Sequence, residues 1–195
     1  MKHHTWTDWD FSNANWEFSD YTYISPPTCL RFTGADLTIV TCKLADSLIL
    51  PEGKIVTARR LWGGAPDHIH FRNQEPDGGS SFTNCYHVRF TNSKVTLFRR
   101  VNDVDTQLAE WGYPLTLYHW FTLTVTWWIY KAPYQPDVLR VRINMRDHTS
   151  GQEWEYQHDD EANQWADSAV NRCGIAGLSL PPADYIDDTE VWRPQ

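Results

Sequence analysis

Residues 86–111, YHVRFTNSKVTLFRRVNDVDTQLAEW, contain the pattern that decides the fold. Apolar and polar residues alternate along this segment with a period of two, which is typical of strands with one buried face. Two polar pairs, Asn92-Ser93 and Asn102-Asp103, interrupt the alternation, and residues of these types favour two-residue hairpin turns. The segment therefore predicts a three-stranded antiparallel meander.

The two turns also fix the pairing register of this meander. A two-residue turn sets residues that are equidistant from it opposite each other, which brings the apolar positions onto one face. The expected cross-strand pairs are Phe90–Val95, Val88–Leu97, Leu97–Leu108 and Arg100–Asp105.

Strand patterns continue on both sides of the meander. Downstream, HWFTLTVTWWIY at 119–130 alternates core-type residues with threonines, and VLRVRINM at 138–145 resumes the alternation. CGIAGLSL and YIDDTEVW are expected to be the closing strands. Upstream, LRFTG, LTIVTCKL and KIVTARRLW have the same character, whereas 159–171 fits either a helical turn or an ordered loop. Many short strands separated by turns predict an all-β, antiparallel, two-sheet β-sandwich of the jelly-roll type.

Length and composition favour one folded domain covering residues 1–195. A chain of 195 residues can bury a substantial core, and 14% aromatic residues with 11 tryptophans are far from the composition of a disordered chain. No internal repeat and no linker-like segment divides the sequence.

Charge and hydropathy exclude several classes of partner. The formal net charge is −8 and the basic residues are scattered, so no nucleic-acid partner is expected. No stretch of about 18 apolar residues predicts membrane insertion, and the N-terminal residues lack the apolar run of a signal peptide. The routes left to a surface location are a processed precursor or a particle released by lysis.

The four cysteines do not suggest a zinc site, because they form no Cys-x-x-Cys pair. Cys29 and Cys42 are equidistant from Ala35-Asp36, so a simple hairpin there would set them opposite each other. A disulfide between them and a pair of packed free thiols are both open alternatives.

The chain from about Phe82 to Trp192 resembles the concanavalin A-like, laminin G-like superfamily. A Trp-x-x-Leu-x-Val-x-Trp strand matches at 120–127, and a final Asp-Asp-x-x-Val strand matches at 187–191. The opening WTDWDFSNANWEF is similar to the first strand and turn of such domains. The resemblance implies a jelly-roll sandwich but leaves function open, because lectin-like modules, glycan hydrolases and lyases, adhesion modules and virion proteins share this architecture.

The enzymes of the superfamily are matched poorly. Retaining hydrolases of this fold carry paired carboxylates on an E-x-D-x-E strand, which is absent. Alginate-lyase-like enzymes carry Q-I-H and Y-F-K-x-G-x-Y-x-Q strands, to which His68-Ile69-His70 and residues 130–135 bear a partial likeness. A His, a Tyr and a neutralising Arg could abstract a proton next to a carboxylate. Pro133 and the missing Arg strand argue against this alternative, whose mark would be a groove joining His70, Arg89 and a Tyr.

The candidate binding residues are histidines, an arginine and aromatics that fall outside the core register. His68 and His70 share a face if their segment is extended, and we expect them to be surface histidines. Aromatic side chains outside a core stack on sugar rings or fill protein interfaces, although about half of them are expected to pack inside the domain. The candidate glycan- or partner-binding residues are Trp62, His68, His70, His87, Arg89, Trp111, Trp128 and Tyr134.

No motif requires a cofactor, but calcium is an open alternative. Its ligands would be Asp10 and Asp187, supported by Asp8 and Asp188, if the first and last strands adjoin. We expect a non-catalytic lectin-like module that serves in a surface assembly, as a virion decoration or fibre subunit or as a cell-surface adhesion component. Its partners would be glycans or protein subunits, including copies of itself. The alternatives are a polysaccharide lyase or glycoside hydrolase, and a free-standing carbohydrate-binding module.

Overall fold

Strands account for all the regular secondary structure that the computed structural model describes. It describes residues 52–60, 67–74, 83–113, 116, 118–165 and 168, with strand segments at 2–3, 9–10, 16–19, 29–32, 38–42, 172–177 and 185–192. In those outlying segments, side chains are described only at Cys173, Gly174, Glu190 and Trp192. The strands are β1 (Lys2–His3), β2 (Trp9–Asp10), β3 (Trp16–Ser19), β4 (Cys29–Phe32), β5 (Thr38–Cys42), β6 (Gly53–Arg60), β7 (Asp67–Asn73), β8 (Cys85–Phe90), β9 (Lys94–Val101), β10 (Val104–Gly112), β11 (Trp120–Tyr130), β12 (Val138–Asp147), β13 (Glu153–Asp160), β14 (Arg172–Gly177) and β15 (Tyr185–Trp192).

These strands form two antiparallel sheets. The eight-stranded sheet has the order β13-β12-β11-β6-β15-β4-β3, with β1 paired to β15. The seven-stranded sheet has the order β10-β9-β8-β7-β14-β5-β2. Neighbouring strands are often distant in sequence, as where β6 lies between β11 and β15, so the fold depends on long-range pairings.

The core lies between the sheets and is formed by alternate residues of the long strands. Trp127, which is 0% exposed, stacks on Phe71 of the opposite sheet with ring centroids 4.9 Å apart. The facing positions of β11 and β12 are buried as their alternation predicts, and the threonines of β11 lie on the other face. Burial of the apolar positions is the main driving force for such a sandwich.

The meander of β8, β9 and β10 confirms most of the predicted register. Phe90 pairs with Val95, Val88 with Leu97 and Arg100 with Asp105. Asn102 and Asp103 have φ angles of 50° and 64°, as a two-residue hairpin turn of the primed type requires. The predicted pairing of Leu97 with Leu108 is wrong, because a β-bulge at Leu108 shifts the register and Leu97 pairs with Ala109.

The simple hairpin that would have set Cys29 opposite Cys42 is not formed. β4 pairs with β3 and β15 in the eight-stranded sheet, whereas β5 pairs with β2 and β14 in the seven-stranded sheet. Cys29 and Cys42 therefore belong to different sheets and are not cross-strand neighbours. A chain that changes sheet between two strands looks the same in sequence as one that turns back on itself.

Candidate functional site

The outer face of the eight-stranded sheet presents a row of short polar side chains. Thr122, Thr124 and Thr126 follow one another on β11 at every second position and are partly exposed. On one side they adjoin β6, where Val56 and Ala58 are their cross-strand neighbours. We call this surface, together with the outward residues of β12, β13 and the end of β15, the threonine face.

One end of the threonine face contains a pocket formed by two tryptophans. Trp128 of β11 and Trp192 of β15 line a cavity of about 390 Å³ with Glu52, Lys54 and Thr126. Lys54 Nζ lies 4.5 Å from the centre of the Trp192 ring, and the Arg142 guanidinium lies 5.5 Å from the Trp128 ring. We call this cavity the tryptophan pocket. An indole surface beside hydrogen-bonding groups can hold a flat, hydroxylated ligand.

The other end of the threonine face contains a more polar cavity of about 420 Å³. Asn144 lines this cavity, and its Nδ2 donates a hydrogen bond of 2.7 Å to Glu155 Oε2. Thr122 Oγ1 lies 2.7 Å from His148 Nε2 at its border. We call this cavity the asparagine pocket, and its lining also includes the outward residues Thr124, Arg146, Glu153 and Glu155.

The arginines of the threonine face are matched by acids on the next strand. Arg140 makes two hydrogen bonds of 2.7 Å to Asp159, a bidentate pair across β12 and β13. Arg146 lies 3.5 Å from Glu153, and Arg142 lies 3.9 Å from Glu155. This ladder leaves little uncompensated positive charge on the face.

Four of the candidate residues meet on the outer face of the seven-stranded sheet. His68 pairs with Arg89 across β7 and β8, and His70 pairs with His87. The His68 and His87 rings stack with their centroids 5.3 Å apart. The Phe98 ring also stacks on His87, with the centroids 4.9 Å apart. The sequence predicted that His68 and His70 share a face, and the pairing of β7 with β8 adds His87 and Arg89 to them. We call these four residues the histidine cluster.

The prediction that His68 and His70 are surface histidines is wrong. His68, His70 and His87 are 8%, 0% and 1% exposed, and only Arg89 of the four keeps a larger part of its side chain accessible. Burial, together with the nearby His87, lowers the pKa of His70 to about 3. Burial also lowers the pKa values of His68 and His87, although the Asp105 carboxylate, 3.1 Å from His87 Nε2, opposes the second shift. The cluster is therefore a set of neutral rings at neutral pH, and its role in binding stays a prediction.

The histidine and the arginine of the lyase alternative lie in one cluster, but neither Tyr130 nor Tyr134 joins them. His70 and Arg89 belong to the seven-stranded sheet, whereas Tyr130 ends β11 in the eight-stranded sheet. Tyr134 lies in the connection between β11 and β12, fully exposed and with a φ of 64°. Neither the tryptophan pocket nor the asparagine pocket is lined by a tyrosine.

The other surplus aromatics divide between packing and exposure, as expected. Trp111 stacks on Tyr156 at 5.2 Å, where the free edges of the two sheets approach each other, so it packs inside the domain. Tyr113, Trp154 and Trp165 also pack against the core. Trp128, Tyr118 and Tyr134 remain accessible, and Trp62 lies outside the described residues.

The calcium alternative is neither supported nor contradicted. Asp10 lies in β2 and Asp187 in β15, which belong to different sheets, and β1 rather than β2 adjoins β15. The side chains of both aspartates lie outside the described part, as does Asp8. Among the described side chains, no group of three His, Cys, Asp or Glu residues is placed to hold a metal ion.

In the described part of the chain, no helix is long and apolar enough to cross a membrane.

Sequence reasoning missed Lys54, Trp192 and Asn144 as pocket residues. The threonine alternation on β11 was a usable signal, since it marks an outward, polar sheet face. The neighbours of that face could not be predicted, because β15 reaches β6 from more than 120 positions along the chain.

Comparison with known proteins supports the fold. No protein-family model and no curated protein sequence matches this chain. Among solved structures, it is similar to the carbohydrate-binding module CBM66 from Bacillus subtilis, with a TM-score of 0.60, 10% identity and 95% of each chain covered. It is also similar to a PL-14 alginate lyase from Aplysia kurodai, with a TM-score of 0.56, 10% identity, and 92% of this chain and 87% of that chain covered. Lectin II from Ulex europaeus matches with a TM-score of 0.54 and 10% identity, covering 98% of this chain and 97% of that chain.

These similarities show the fold alone, because proteins of many different functions share a fold at about 10% sequence identity. The chain has the concanavalin A-like jelly-roll fold, a lectin-like β-sandwich of two antiparallel sheets, as the sequence resemblance implied.

Proposed function

We propose that this protein is a non-catalytic, lectin-like module that binds carbohydrate on its threonine face. The observation that carries the proposal is the tryptophan pocket, where Trp128 and Trp192 stand beside Thr126, Lys54 and Glu52. Aromatic surfaces take the apolar face of a sugar ring, and the surrounding hydroxyl, ammonium and carboxylate groups take its hydroxyls. The similar carbohydrate-binding module and lectin are consistent with this use of the fold.

The test is a glycan array followed by titration calorimetry of the best ligand. Trp128→Ala should weaken binding about tenfold or more, because a buried aromatic contact contributes a large share of the affinity at such sites. Val104→Ala is the control, since Val104 is 67% exposed at the β9–β10 hairpin of the other sheet. If Trp128→Ala binds the glycan with unchanged affinity, the binding site does not lie on the threonine face. If no glycan on the array binds, the proposed function is rejected.

A second candidate is a structural or adhesion subunit of a virion or an extracellular surface assembly, including homo-oligomers. It is favoured by large apolar side chains that are exposed in loops and hairpins: Val104 at 67%, Tyr118 at 50% and Tyr134 at 106%. Light scattering of the native protein discriminates the two. A stable oligomer that Tyr134→Ser or Val104→Ser dissociates would support the assembly role, and a monomer at high concentration would reject self-assembly.

A further inference from the structure

The two pockets of the threonine face lie on one continuous surface. The tryptophan pocket involves Thr126 and Trp128 of β11, and the asparagine pocket involves Thr122 and Thr124 of the same strand. All four side chains point to the same side of the sheet, because they alternate along the strand. No strand separates the pockets, so one ligand can reach both.

The two pockets together span more than the size of one sugar. Glu155 of the asparagine pocket is on β13 and Trp192 of the tryptophan pocket is on β15, four strand positions apart in the order β13-β12-β11-β6-β15. At about 4.8 Å between neighbouring strands, the surface spans roughly 19 Å. That length accommodates several pyranose units laid end to end and cannot be covered by a single one.

Short side chains form the floor between the pockets. Thr124 and Thr126 face Val56 and Lys54 across β11 and β6, and Thr122 faces Ala58. Within the described part of the chain, the Thr124 and Thr126 hydroxyls make no hydrogen bond to protein. The longer arginines of β12 border the floor on one side. A trough with small residues along its length and free hydroxyls suits a chain of sugar rings.

The charge of the trough is nearly balanced. Its two pockets are lined by three carboxylates, Glu52, Glu153 and Glu155, and by two cations, Lys54 and Arg146. The cations already have partners, since Arg146 lies 3.5 Å from Glu153 and Lys54 lies over the Trp192 ring. An acidic polysaccharide would face three carboxylates against two cations, one of them already paired with an acid, on a chain of net charge −8.

We propose that the ligand of the threonine face is an uncharged polysaccharide, bound as an extended chain across the trough with the tryptophan and asparagine pockets as two subsites of one site. This inference rests on the proposed function and specifies its ligand class. The protein would then bind internal segments of a polysaccharide, because an extended chain can cross both pockets without placing its end in either of them.

A length series of neutral oligosaccharides tests the subsites. The backbone type is chosen first by screening cellohexaose, xylohexaose and mannohexaose, and then the disaccharide and the hexasaccharide of the best type are titrated by calorimetry. The hexasaccharide should bind at least tenfold more tightly than the disaccharide, because only the longer chain reaches both pockets. Equal affinities would overturn the extended mode and leave the proposed function intact.

Two variants locate the subsites. Asn144→Ala should weaken the hexasaccharide about fivefold, the effect of losing one hydrogen bond, and leave the disaccharide unchanged. Trp128→Ala should weaken both ligands. Gln107→Ala, an exposed amide on β10 of the other sheet, is the matched control and should change neither affinity. A uniform effect of Asn144→Ala on both ligands, or none on either, would overturn the two-subsite arrangement.

The charge of the ligand is tested with hexaguluronate as the anionic probe at low salt. The neutral hexasaccharide should bind at least tenfold more tightly than this probe. Preference for the anionic chain would overturn the ligand class while carbohydrate binding itself stood. Absence of binding to every neutral and acidic chain would reject this inference and the proposed function together.

Discussion

The imidazole of His70 is fully buried, and His87 is its cross-strand neighbour in the histidine cluster. Transferring a proton to a group in this position means placing a positive charge in a poorly solvated site beside another imidazole. The folded protein therefore binds a proton at His70 much more weakly than the unfolded chain does.

Stability should consequently fall on mild acidification. The pKa of His70 is about 3 in the folded state and 6.5 in the unfolded state, so the stabilising effect of its neutral form is complete above pH 6.5 and is lost as the pH falls toward 3. The free energy of unfolding should drop by about 1.4 kcal/mol per pH unit from this residue alone. Urea unfolding between pH 6 and 4.5 measures the slope above the range where most carboxylates titrate.

His70→Gln supplies the comparison, because the amide does not titrate. Its slope should be shallower than that of the wild type by about 1.4 kcal/mol per pH unit over the same range. Parallel slopes for the two proteins would contradict the assignment of this acid sensitivity to His70.

Gly53 leaves no room for a side chain at the start of β6. A Cβ at this position would lie 2.6 Å from Cζ2 of Trp127, which is fully buried and cannot move aside easily. We expect Gly53→Ala to lower the free energy of unfolding by about 1–3 kcal/mol, as overpacking of cores does. Gly112→Ala is the matched control, since its nearest neighbour would be Ser93 O at 4.0 Å. Denaturant unfolding of both variants decides the point.

At the level of the elements, the β9–β10 hairpin depends on its turn residues. Asn102 adopts a φ of 50°, and its backbone N–H donates a 3.0 Å hydrogen bond to Asn84 Oδ1. A left-handed conformation is unfavourable for alanine by about 1–2 kcal/mol, so Asn102→Ala should destabilise the protein by about that amount. Asn102→Gly should be close to neutral. A melt in which both variants shift equally would show that the backbone conformation is not the cause.

Local pairings were predictable and long-range ones were not. The β8–β9 and β9–β10 registers follow from the turns Asn92-Ser93 and Asn102-Asp103, because a two-residue turn fixes which residues face each other. The bulge at Leu108 carries no turn residue that marks it, and the separation of Cys29 and Cys42 depends on which distant strand each segment joins.

The candidate site was predictable to a similar degree. Alternation marked Trp128 as outward-facing, and the pairing of β7 with β8 brought together the histidines that the sequence singled out. Their burial could not be predicted, since alternation indicates which face a residue lies on and not what covers that face. The contribution of Trp192 to the pocket depends on the β15–β6 pairing, which no local pattern specifies.

For the whole molecule, a buried polar group connects the two sheets. Tyr86 of β8 donates a 2.5 Å hydrogen bond to Asp160 of β13, and Arg99 of β9 donates to the same carboxylate at 2.9 Å and 3.1 Å. Asp160 is 6% exposed, and burial with the bond to Asp160 raises the pKa of the Tyr86 hydroxyl. Removing the charge of the Asp160 carboxylate leaves the Tyr86 hydroxyl and the Arg99 guanidinium without a well-matched acceptor.

Asp160→Asn should therefore lower the free energy of unfolding by about 3 kcal/mol, the lower end of what breaking a buried pair costs. Tyr86→Phe alone should cost about 1–2 kcal/mol. The double variant should lose less stability than the sum of the losses in the two single variants, because both substitutions remove the same hydrogen bond. Strict additivity in urea unfolding would show that the tyrosine and the aspartate act independently.

The β-bulge at Leu108 bears on how copies of this protein can meet. β10 is the outermost strand at its end of the seven-stranded sheet, and an outermost strand with a regular backbone is a ready template for a strand from another molecule. The bulge breaks the repeat of the β10 backbone, and Asp105 and Glu110 place charges along it. Such an edge resists continuation of this sheet by a strand from a second molecule, so contacts between copies at this end of the sheet would be made through side chains and loops rather than through backbone pairing.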